Sequence, residues 1–296
     1  DKVNFINKIH RLNIGKGAKM FNQLKTVMLL AILTAIMLAL GWLIGGQSGL
    51  IIGFIIALFI NFLTYWFSDK FVLAMYRAKD ADKRKHSWLH AICAEVAKKA
   101  GVPKPRVYIV PLPIMNAFAT GRNPQNSVVA VTEGIMKGLS REELKGVIAH
   151  EIGHVKNRDI LISTIVATVA GVIGFVAFYA RMATFSGDRE NRAGLIGLLL
   201  AGILAPIIAM LIQLAISRTR EFIADESGAH FIGNGLPLAN ALLKLEGSAK
   251  KMPLRGNEAT AHLFIVNPFT ASAFMKLFST HPSIEERVKR LKELKF

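Results

Sequence analysis

Two histidines and a glutamate near the middle of the chain have the types and spacing of a hydrolytic metal site. The sequence His150-Glu151-Ile152-Gly153-His154 separates the histidines by four residues, so that on a helix both imidazoles face the same way and can bind one metal ion. Neutral imidazoles suit Zn²⁺, and a site with few protein ligands leaves a coordination position for water. The carboxylate between them can take the proton of that water as a general base. The pattern predicts zinc-dependent hydrolysis, with Glu151 as the base and not as a ligand.

A second pair of histidines, His86 and His90, has the same spacing without the same chemistry. No carboxylate lies between the two, and the basic run Lys83-Arg84-Lys85 precedes them. Because the spacing without a base lacks the catalytic part of the motif, we interpret this pair as helix surface.

A third metal ligand is predicted from the sequence E-F-I-A-D at residues 221–225. Zinc hydrolases that bind the metal with two histidines also use a glutamate, so Glu221 is the predicted third ligand. Asp225 lies on the same helical face and is predicted to orient a ligand histidine. Taken in isolation, the pair would be an exposed acidic helix face. Glu226 is the competing ligand, but on a helix it points about 140° away from Glu221.

The helix that contains the two metal-binding histidines has a clear start signal. Ser140 and Glu143 match an S-x-x-E capping box, which predicts a helix from about residue 141 through His154. Residues 69–100 are predicted to form one helix on their apolar stripe. Short β-like runs separated by prolines and glycines predict a small sheet between these helices. The runs are residues 106–110, 115–120 and 127–132.

Long uncharged segments predict four membrane-spanning helices. Hydrophobic residues make up 52% of the 296 residues. Asp, Glu, Lys and Arg are absent from residues 26–67, 160–180 and 194–216. About 20 apolar residues suffice to cross a bilayer. The first segment is long enough for two spans and is interrupted at 45–49 by G-G-Q-S-G, a turn-forming cluster. The sequence therefore predicts two transmembrane hairpins, at 26–67 and 160–216.

The distribution of the formal net charge of +17 predicts the orientation in the membrane. If the four spans alternate, 34 of the 37 lysines and arginines lie on one side. The positive-inside rule places that side, with both termini and the metal site, in the cytoplasm. Attraction to anionic lipid explains this charge more simply than nucleic acid, which we do not expect as a partner. The single cysteine, Cys93, excludes an intrachain disulfide and fits a reducing compartment.

These features divide the chain into membrane and cytosolic parts. Residues 1–25 are predicted to form a basic cytosolic segment, in which Met20 is the predicted natural initiator and residues 1–19 are either an upstream or a non-native extension. The cytosolic catalytic domain is formed by residues 68–159, with the H-E-x-x-H helix, and by residues 217–296, with the third ligand. The predicted fold class is α+β, mainly α, with four transmembrane helices in two hairpins and a small β-sheet.

Taken together, these motifs resemble those of the membrane-bound HtpX family of bacterial M48 metalloproteases. The resemblance extends from about Met20 to the end and adds N-A-F-A-T-G at residues 116–121 and the dipeptide His281-Pro282. It implies a zincin-like domain with one Zn²⁺ per chain. It also implies an endopeptidase of the bacterial cytoplasmic (inner) membrane that cuts misfolded or damaged membrane proteins, in protein quality control and stress response. CAAX prenyl proteases are similar at the site but have more spans.

Two further roles are implied by the resemblance alone. Asn116, Ala117, Phe118 and Ala119 would form an active-site edge strand that pairs with the backbone of a bound polypeptide. His281 would donate a hydrogen bond to the developing oxyanion. Without the family, His281 is a lone histidine at a helix start with a structural role, and both readings stay open at this point.

The main rival hypothesis is a non-catalytic membrane protein, either a metal-binding scaffold or a transporter. The predicted spans contain no charged residue, whereas ion and proton pathways usually place some inside the membrane. An intramembrane protease is disfavoured because both halves of the metal site lie outside the apolar spans. The sequence therefore favours an enzyme with polypeptide substrates in a lipid bilayer, and it leaves natural substrates and oligomeric state open.

Overall fold

The computed structural model of the protein describes residues 2–166, 218–251, 263–265 and 282–296. This part of the chain is mainly helical with one small mixed sheet, which confirms the predicted α+β class. The helices are α1 (Lys2–Met75), α2 (Ser87–Ala100), α3 (Glu133–Gly138), α4 (Arg141–Asn157), α5 (Arg218–Ile232), α6 (Leu236–Lys251) and α7 (Ile284–Glu293), with a further helical stretch at 160–166. The strands are β1 (Lys79–Asp80), β2 (Arg106–Val110), β3 (Ala117–Gly121) and β4 (Ser127–Thr132).

The long helix α1 reverses direction in the middle. Its backbone leaves helical geometry at Gly45 and Gly46, and Gly46 has a φ of 55°, a value that glycine adopts without strain. Across the resulting hairpin, Asn61 Nδ2 donates a hydrogen bond to Thr34 Oγ1 at 2.8 Å. The break therefore lies inside the glycine-rich segment where the sequence predicts a turn.

The second arm of α1 is the one helix among the described residues that is long and apolar enough to span a membrane. It covers Gly45–Met75, 31 residues, in which the most apolar window of 18 residues has a mean hydropathy of 2.2 and is only 17% buried. Ile51 and Phe59 are among its exposed side chains. The apolar stretch Thr26–Ala39 in the first arm is shorter. Most of the predicted hairpin at 160–216 lies outside the described residues, so four spans stay a prediction.

The prediction of one helix over residues 69–100 is wrong, because the chain forms a strand and a turn inside that range. Arg77 adopts a left-handed φ of 51°, and β1 then pairs with β2. Asp82 Oδ1 accepts hydrogen bonds from the backbone N–H groups of Arg84 and Lys85, each at 2.8 Å. Such local side-chain bonding competes with helix formation, and α2 begins only after this turn.

The sheet has the order β1-β2-β4-β3, so that β3 lies at one edge. β2 and β4 run parallel, whereas β3 pairs antiparallel with β4, with Ala119 opposite Val129. The bounds predicted for β2 and β4 agree with the structure, and β3 begins two residues later than the predicted run at 115–120. The edge strand packs against α4, which brings the predicted substrate strand beside the histidine helix.

Helix α4 lies in the core and has well-defined ends. Ser140 Oγ accepts a hydrogen bond from Glu143 N at 3.3 Å, and Glu143 Oε2 accepts one from Ser140 N at 2.8 Å, which confirms the predicted capping box. The helix does not continue directly into the next apolar stretch. Arg158 takes a left-handed φ of 61° after Asn157, and a new helical stretch begins at residue 160.

Candidate metal centre

The side chains of His150, His154 and Glu221 converge at the crossing of α4 and α5. Their potential ligand atoms lie within 4.8 Å of one another, and within the described ranges they form the one such cluster of three or more residues. The two Nε2 atoms are 3.2 Å apart. Glu221 Oε2 lies 3.8 Å from His150 Nε2, and Glu221 Oε1 lies 3.4 Å from His154 Nε2. The structure thus brings together the three residues predicted as ligands.

Glycines at the crossing allow α5 to approach the histidines. A Cβ on Gly228 of α5 would lie 2.7 Å from the backbone nitrogen of His150, and one on Gly153 of α4 would lie 3.0 Å from the carbonyl oxygen of Ala224. A side chain at Gly228 would therefore require the helix backbones to move apart. Because Glu221 precedes Gly228 by about two helical turns, the close contact places its carboxylate opposite the imidazoles.

Two aspartates face the outer nitrogens of the histidines. His154 Nδ1 hydrogen-bonds with Asp159 Oδ2 at 3.2 Å. His150 Nδ1 lies 2.9 Å from Asp225 Oδ1, though without the alignment of a hydrogen bond. A carboxylate at Nδ1 fixes the ring and leaves Nε2 for a metal. Asp225 thus lies beside the ring of His150, and its orienting role stays a prediction. The sequence analysis missed Asp159. The feature that could have indicated it is its position directly after Arg158, where α4 ends.

Burial and neighbouring charges act in opposite directions on the pKa of His154. Burial alone would lower it, but the hydrogen bond with Asp159 and the negative charge of Glu221 outweigh burial and raise the pKa to about 9. A protonated imidazole cannot bind a metal, so the neutral form of His154 is the one that could serve as a ligand.

Glu151 lies buried beside the ligands and contacts the edge strand. Its Oε2 accepts a hydrogen bond from the backbone N–H of Ala119 at 2.8 Å. Burial raises the pKa of Glu151, and this effect outweighs the opposing charges of His150 and His154. A carboxyl group with a raised pKa is better matched to general acid–base chemistry near neutral pH. The fold therefore joins the predicted base to the predicted substrate strand.

Arg287 of α7 belongs to the site and was missed by the sequence analysis. It is fully buried, at 0% exposure. Its Nε and Nη2 donate to the two carboxylate oxygens of Asp225 at 2.8 and 2.7 Å, and its Nη1 lies 3.5 Å from Glu221 Oε2. Burial alone would raise the pKa of Asp225, but the Arg287 guanidinium holds it below its usual value. The signal in the sequence was an arginine on the apolar stripe that contains Val288 and Leu291.

A cavity of about 60 Å³ opens onto the ligands. Phe118 and Ala119 of β3 line one side, and the segment from Leu263 to Ile265 lines another. Asn116 holds this segment, because its Nδ2 donates to Leu263 O and its Oδ1 accepts from Ile265 N, both at 3.2 Å. The four residues predicted to bind substrate, 116–119, are all buried here.

The remaining candidates do not join this cluster. Glu226 lies on the outside of α5, 3.8 Å from His230 Nε2 and 59% exposed at its side chain. His86 directly precedes α2 and His90 lies on it, and neither residue belongs to the cluster. His281, the predicted oxyanion donor, lies outside the described residues.

Comparison with known proteins identifies the family. The sequence model of peptidase family M48 matches residues 83–295. The chain is 52% identical to a protease HtpX homolog of Sulfurihydrogenibium sp., over 93% of this chain and 97% of that protein. It is 54% identical to the homolog of Persephonella marina, over 92% and 97%. The crystal structure of S. mikatae Ste24p has a TM-score of 0.48 at 16% identity and covers 93% of this chain and 66% of that chain, too weak a likeness to assign the fold. The resemblance to HtpX proteins is confirmed by the sequence matches, and the chain belongs to peptidase family M48.

Proposed function

We propose that the protein is a zinc-dependent endopeptidase of the bacterial cytoplasmic membrane that cuts misfolded or damaged membrane proteins. One observation carries this proposal: the ligand atoms of His150, His154 and Glu221 converge next to the buried carboxylate of Glu151 and the edge strand β3. Membership of a peptidase family supports peptide-bond hydrolysis as the reaction, with polypeptides as substrates.

The donor set fits Zn²⁺. Two imidazole nitrogens and one carboxylate oxygen are the ligands of many zinc hydrolases. Asp159 and Asp225 face the Nδ1 atoms, which leaves both Nε2 atoms for the metal. When bound there, Zn²⁺ would polarise the scissile carbonyl and lower the pKa of a coordinated water.

The chain's own groups supply proton transfer and substrate binding. Glu151 takes the proton of the attacking water and returns it to the leaving amine. The N–H of Ala119 holds Glu151 in place during these transfers. The edge strand β3 binds an extended polypeptide through backbone hydrogen bonds, which accept many sequences with little selectivity. Low selectivity suits an enzyme that removes damaged proteins. His281 is the proposed donor to the oxyanion.

The exposed apolar surface of α1 supports the membrane location. The helix Gly45–Met75 is long enough to cross the hydrocarbon core and is mostly unburied in the fold. The distribution of lysines and arginines supports a cytoplasmic site with both termini on the same side. In this arrangement the enzyme reaches cytosolic and membrane-surface segments of its substrates.

The test uses the full chain purified in detergent. We expect one equivalent of zinc, cleavage of unfolded casein, loss of cleavage after chelation and its recovery on adding Zn²⁺. The proposed substrate class is tested by incubating the enzyme with one membrane protein in folded and in misfolded form, where we expect only the misfolded form to be cut. Stoichiometric zinc with no cleavage of any of these would favour a metal-binding scaffold.

A further inference from the structure

We infer that Arg287 is a positioning residue of the metal site, which orients the carboxylates of Glu221 and Asp225 and thereby sets the affinity for zinc. The inference rests on the proposed metalloprotease function. Arg287 does not line the cavity beside the ligands. Its contacts are with the two carboxylates and, at 3.4 Å from Nη2, with His150 Nε2, so it acts through these residues and not on the substrate.

The contacts of Arg287 have the geometry of an orienting group. Its Nε and Nη2 donate to both oxygens of Asp225, at 2.8 and 2.7 Å, and two parallel hydrogen bonds of this kind fix the plane of a carboxylate. Its Nη1 lies 3.5 Å from Glu221 Oε2. One planar group from α7 therefore contacts both carboxylates that α5 directs toward the histidines.

The guanidinium is held by the packing of its own helix. Val288 and Leu291, which follow Arg287 on α7, are buried in the main hydrophobic core together with residues of α4 and α6. Asp225 is only 4% exposed. A charged pair at this depth is favourable only if its geometry is good and its hydrogen bonds are satisfied. The aligned fork to Asp225 supplies two of these bonds, and Nη1, which has no hydrogen-bond partner among the described residues, lies beside the carboxylate of Glu221. Docking of α7 thus fixes the position of Asp225 relative to His150.

Two roles of a buried arginine at this site predict opposite effects on zinc binding. An arginine that acts only as a counter-charge opposes the metal, so that its removal strengthens zinc binding. An arginine that orients Glu221 and Asp225 supports the metal, so that its removal weakens zinc binding. The two aligned hydrogen bonds to Asp225 favour the orienting role, because a counter-charge needs no alignment.

The experiment compares the zinc dissociation constants of full-length variants in detergent, measured by competition with a chelator. We expect Arg287→Met to weaken zinc binding about 10–100-fold, as is typical when a group that orients a ligand is lost. Arg287→Lys should show most of the same loss, because lysine keeps the charge but lacks the planar fork. Unchanged or tighter zinc binding by Arg287→Met, or full recovery by Arg287→Lys, would overturn the inference.

Arg290→Met is the matched control. Arg290 lies on the same helix, is 55% exposed, pairs with Glu286 at 2.9 Å and stacks on Phe222 of α5 with 3.7 Å between its Cζ and the ring centroid. Its removal disturbs the contact between α7 and α5 without touching the carboxylates. We expect wild-type zinc affinity from this variant. If Arg290→Met weakens zinc binding as much as Arg287→Met does, the effect is one of helix docking and the inference is overturned.

A further variant keeps the test decisive if Arg287→Met does not fold. Thermal unfolding of the metal-free protein detects that case, which arises if the carboxylate of Asp225 is stranded in the core. The double variant Asp225→Asn/Arg287→Met removes the stranded charge, and we expect it to bind zinc more weakly than the single variant Asp225→Asn, because the contact of Arg287 with Glu221 is lost as well. Equal zinc affinity of the double variant and Asp225→Asn would overturn the inference.

The activity measurement separates this inference from the proposed function. At saturating zinc we expect Arg287→Met to keep the KM of wild type, because Arg287 does not line the cavity. A raised KM with unchanged zinc affinity would overturn the positioning role. A wild-type protein that binds no zinc would overturn the proposed function itself. If the wild type binds zinc and cleaves, and Arg287→Met has the same zinc affinity as the wild type, this inference alone is overturned.

Discussion

The two histidine pairs of this chain, His86/His90 and His150/His154, share one spacing but differ in their secondary structure and in the charges around them. His150 and His154 both lie within α4, with their Nε2 atoms 3.2 Å apart. His86 is the N-cap residue of α2, with a φ of −117° and a ψ of 32°, so only His90 belongs to that helix. His90 is half-buried, and its Nε2 lies 2.8 Å from the carbonyl oxygen of Ala81. The imidazoles of His150 and His154 come together because one helix contains both residues.

The two pairs also differ in the charges that face them. Glu221, Asp225 and Asp159 surround the pair on α4, whereas Lys104 Nζ lies 3.3 Å from His90 Nδ1. Carboxylates supply the third ligand and orient the rings, and a neighbouring ammonium group opposes a metal cation. The comparison teaches that the spacing alone does not make a candidate metal site, and that the carboxylates of the second helix distinguish the pair on α4.

Removing the third ligand should have the largest effect on metal binding. Glu221→Ala leaves only two imidazoles, and we expect zinc affinity to fall on the order of a thousand-fold if each of the three ligands contributes a similar share of a binding free energy like the ~10–16 kcal/mol of structural zinc in zinc-finger peptides. The measurement is chelator competition on the full chain. His86→Ala/His90→Ala is the control and should bind zinc as wild type does. Retention of wild-type affinity by Glu221→Ala would move the third ligand elsewhere.

A smaller effect is expected from the carboxylate behind His154. In Asp159→Asn the hydrogen bond to Nδ1 loses its charge, so the ring is held less firmly and is less basic. We expect zinc affinity to fall about 10–100-fold, with α4 intact by circular dichroism. Loss of helix in the metal-free variant would instead assign Asp159 a structural role.

The smallest effect concerns the starts of the two histidine helices. Ser140 caps α4 through its hydroxyl, whereas in the described structure no side-chain hydrogen bond caps α2 at His86. We expect Ser140→Ala to lower the free energy of unfolding by about 1 kcal/mol, and His86→Ala to lower it by less. Denaturant unfolding of the two metal-free variants provides the measurement, and equal losses would contradict this difference between the helices.

Local motifs in the sequence predicted the parts of the site that depend on one helix or one short segment. The capping box placed α4, the H-E-x-x-H spacing placed its histidines on one face, and the structure brings Glu221 and Asp225 to them as expected. Asp159 and Arg287 depend on other information. Asp159 reaches His154 only because the chain turns at Arg158, and Arg287 depends on how α7 docks against α5.

The fold shows the same division. Strands β2 and β4 were predicted correctly because prolines and glycines bound short β-branched runs. The prediction of a single helix over 69–100 was wrong because the apolar stripe of this segment gives no indication of the turn at Asp82 or of the pairing of β1 with β2. Strand pairing is a long-range contact, and periodicity within one segment contains no information about it.

The central claim is that Glu151 is a catalytic base beside a metal site and not a ligand in it. Glu151→Gln keeps the size of the side chain and one oxygen that can accept the hydrogen bond from Ala119 N, but the amide cannot accept the proton of the attacking water. We predict that this variant, purified beside wild type, holds the same stoichiometric zinc and cleaves casein about 10²–10⁴-fold more slowly. Cleavage at the wild-type rate, or loss of zinc from Glu151→Gln, would contradict the account.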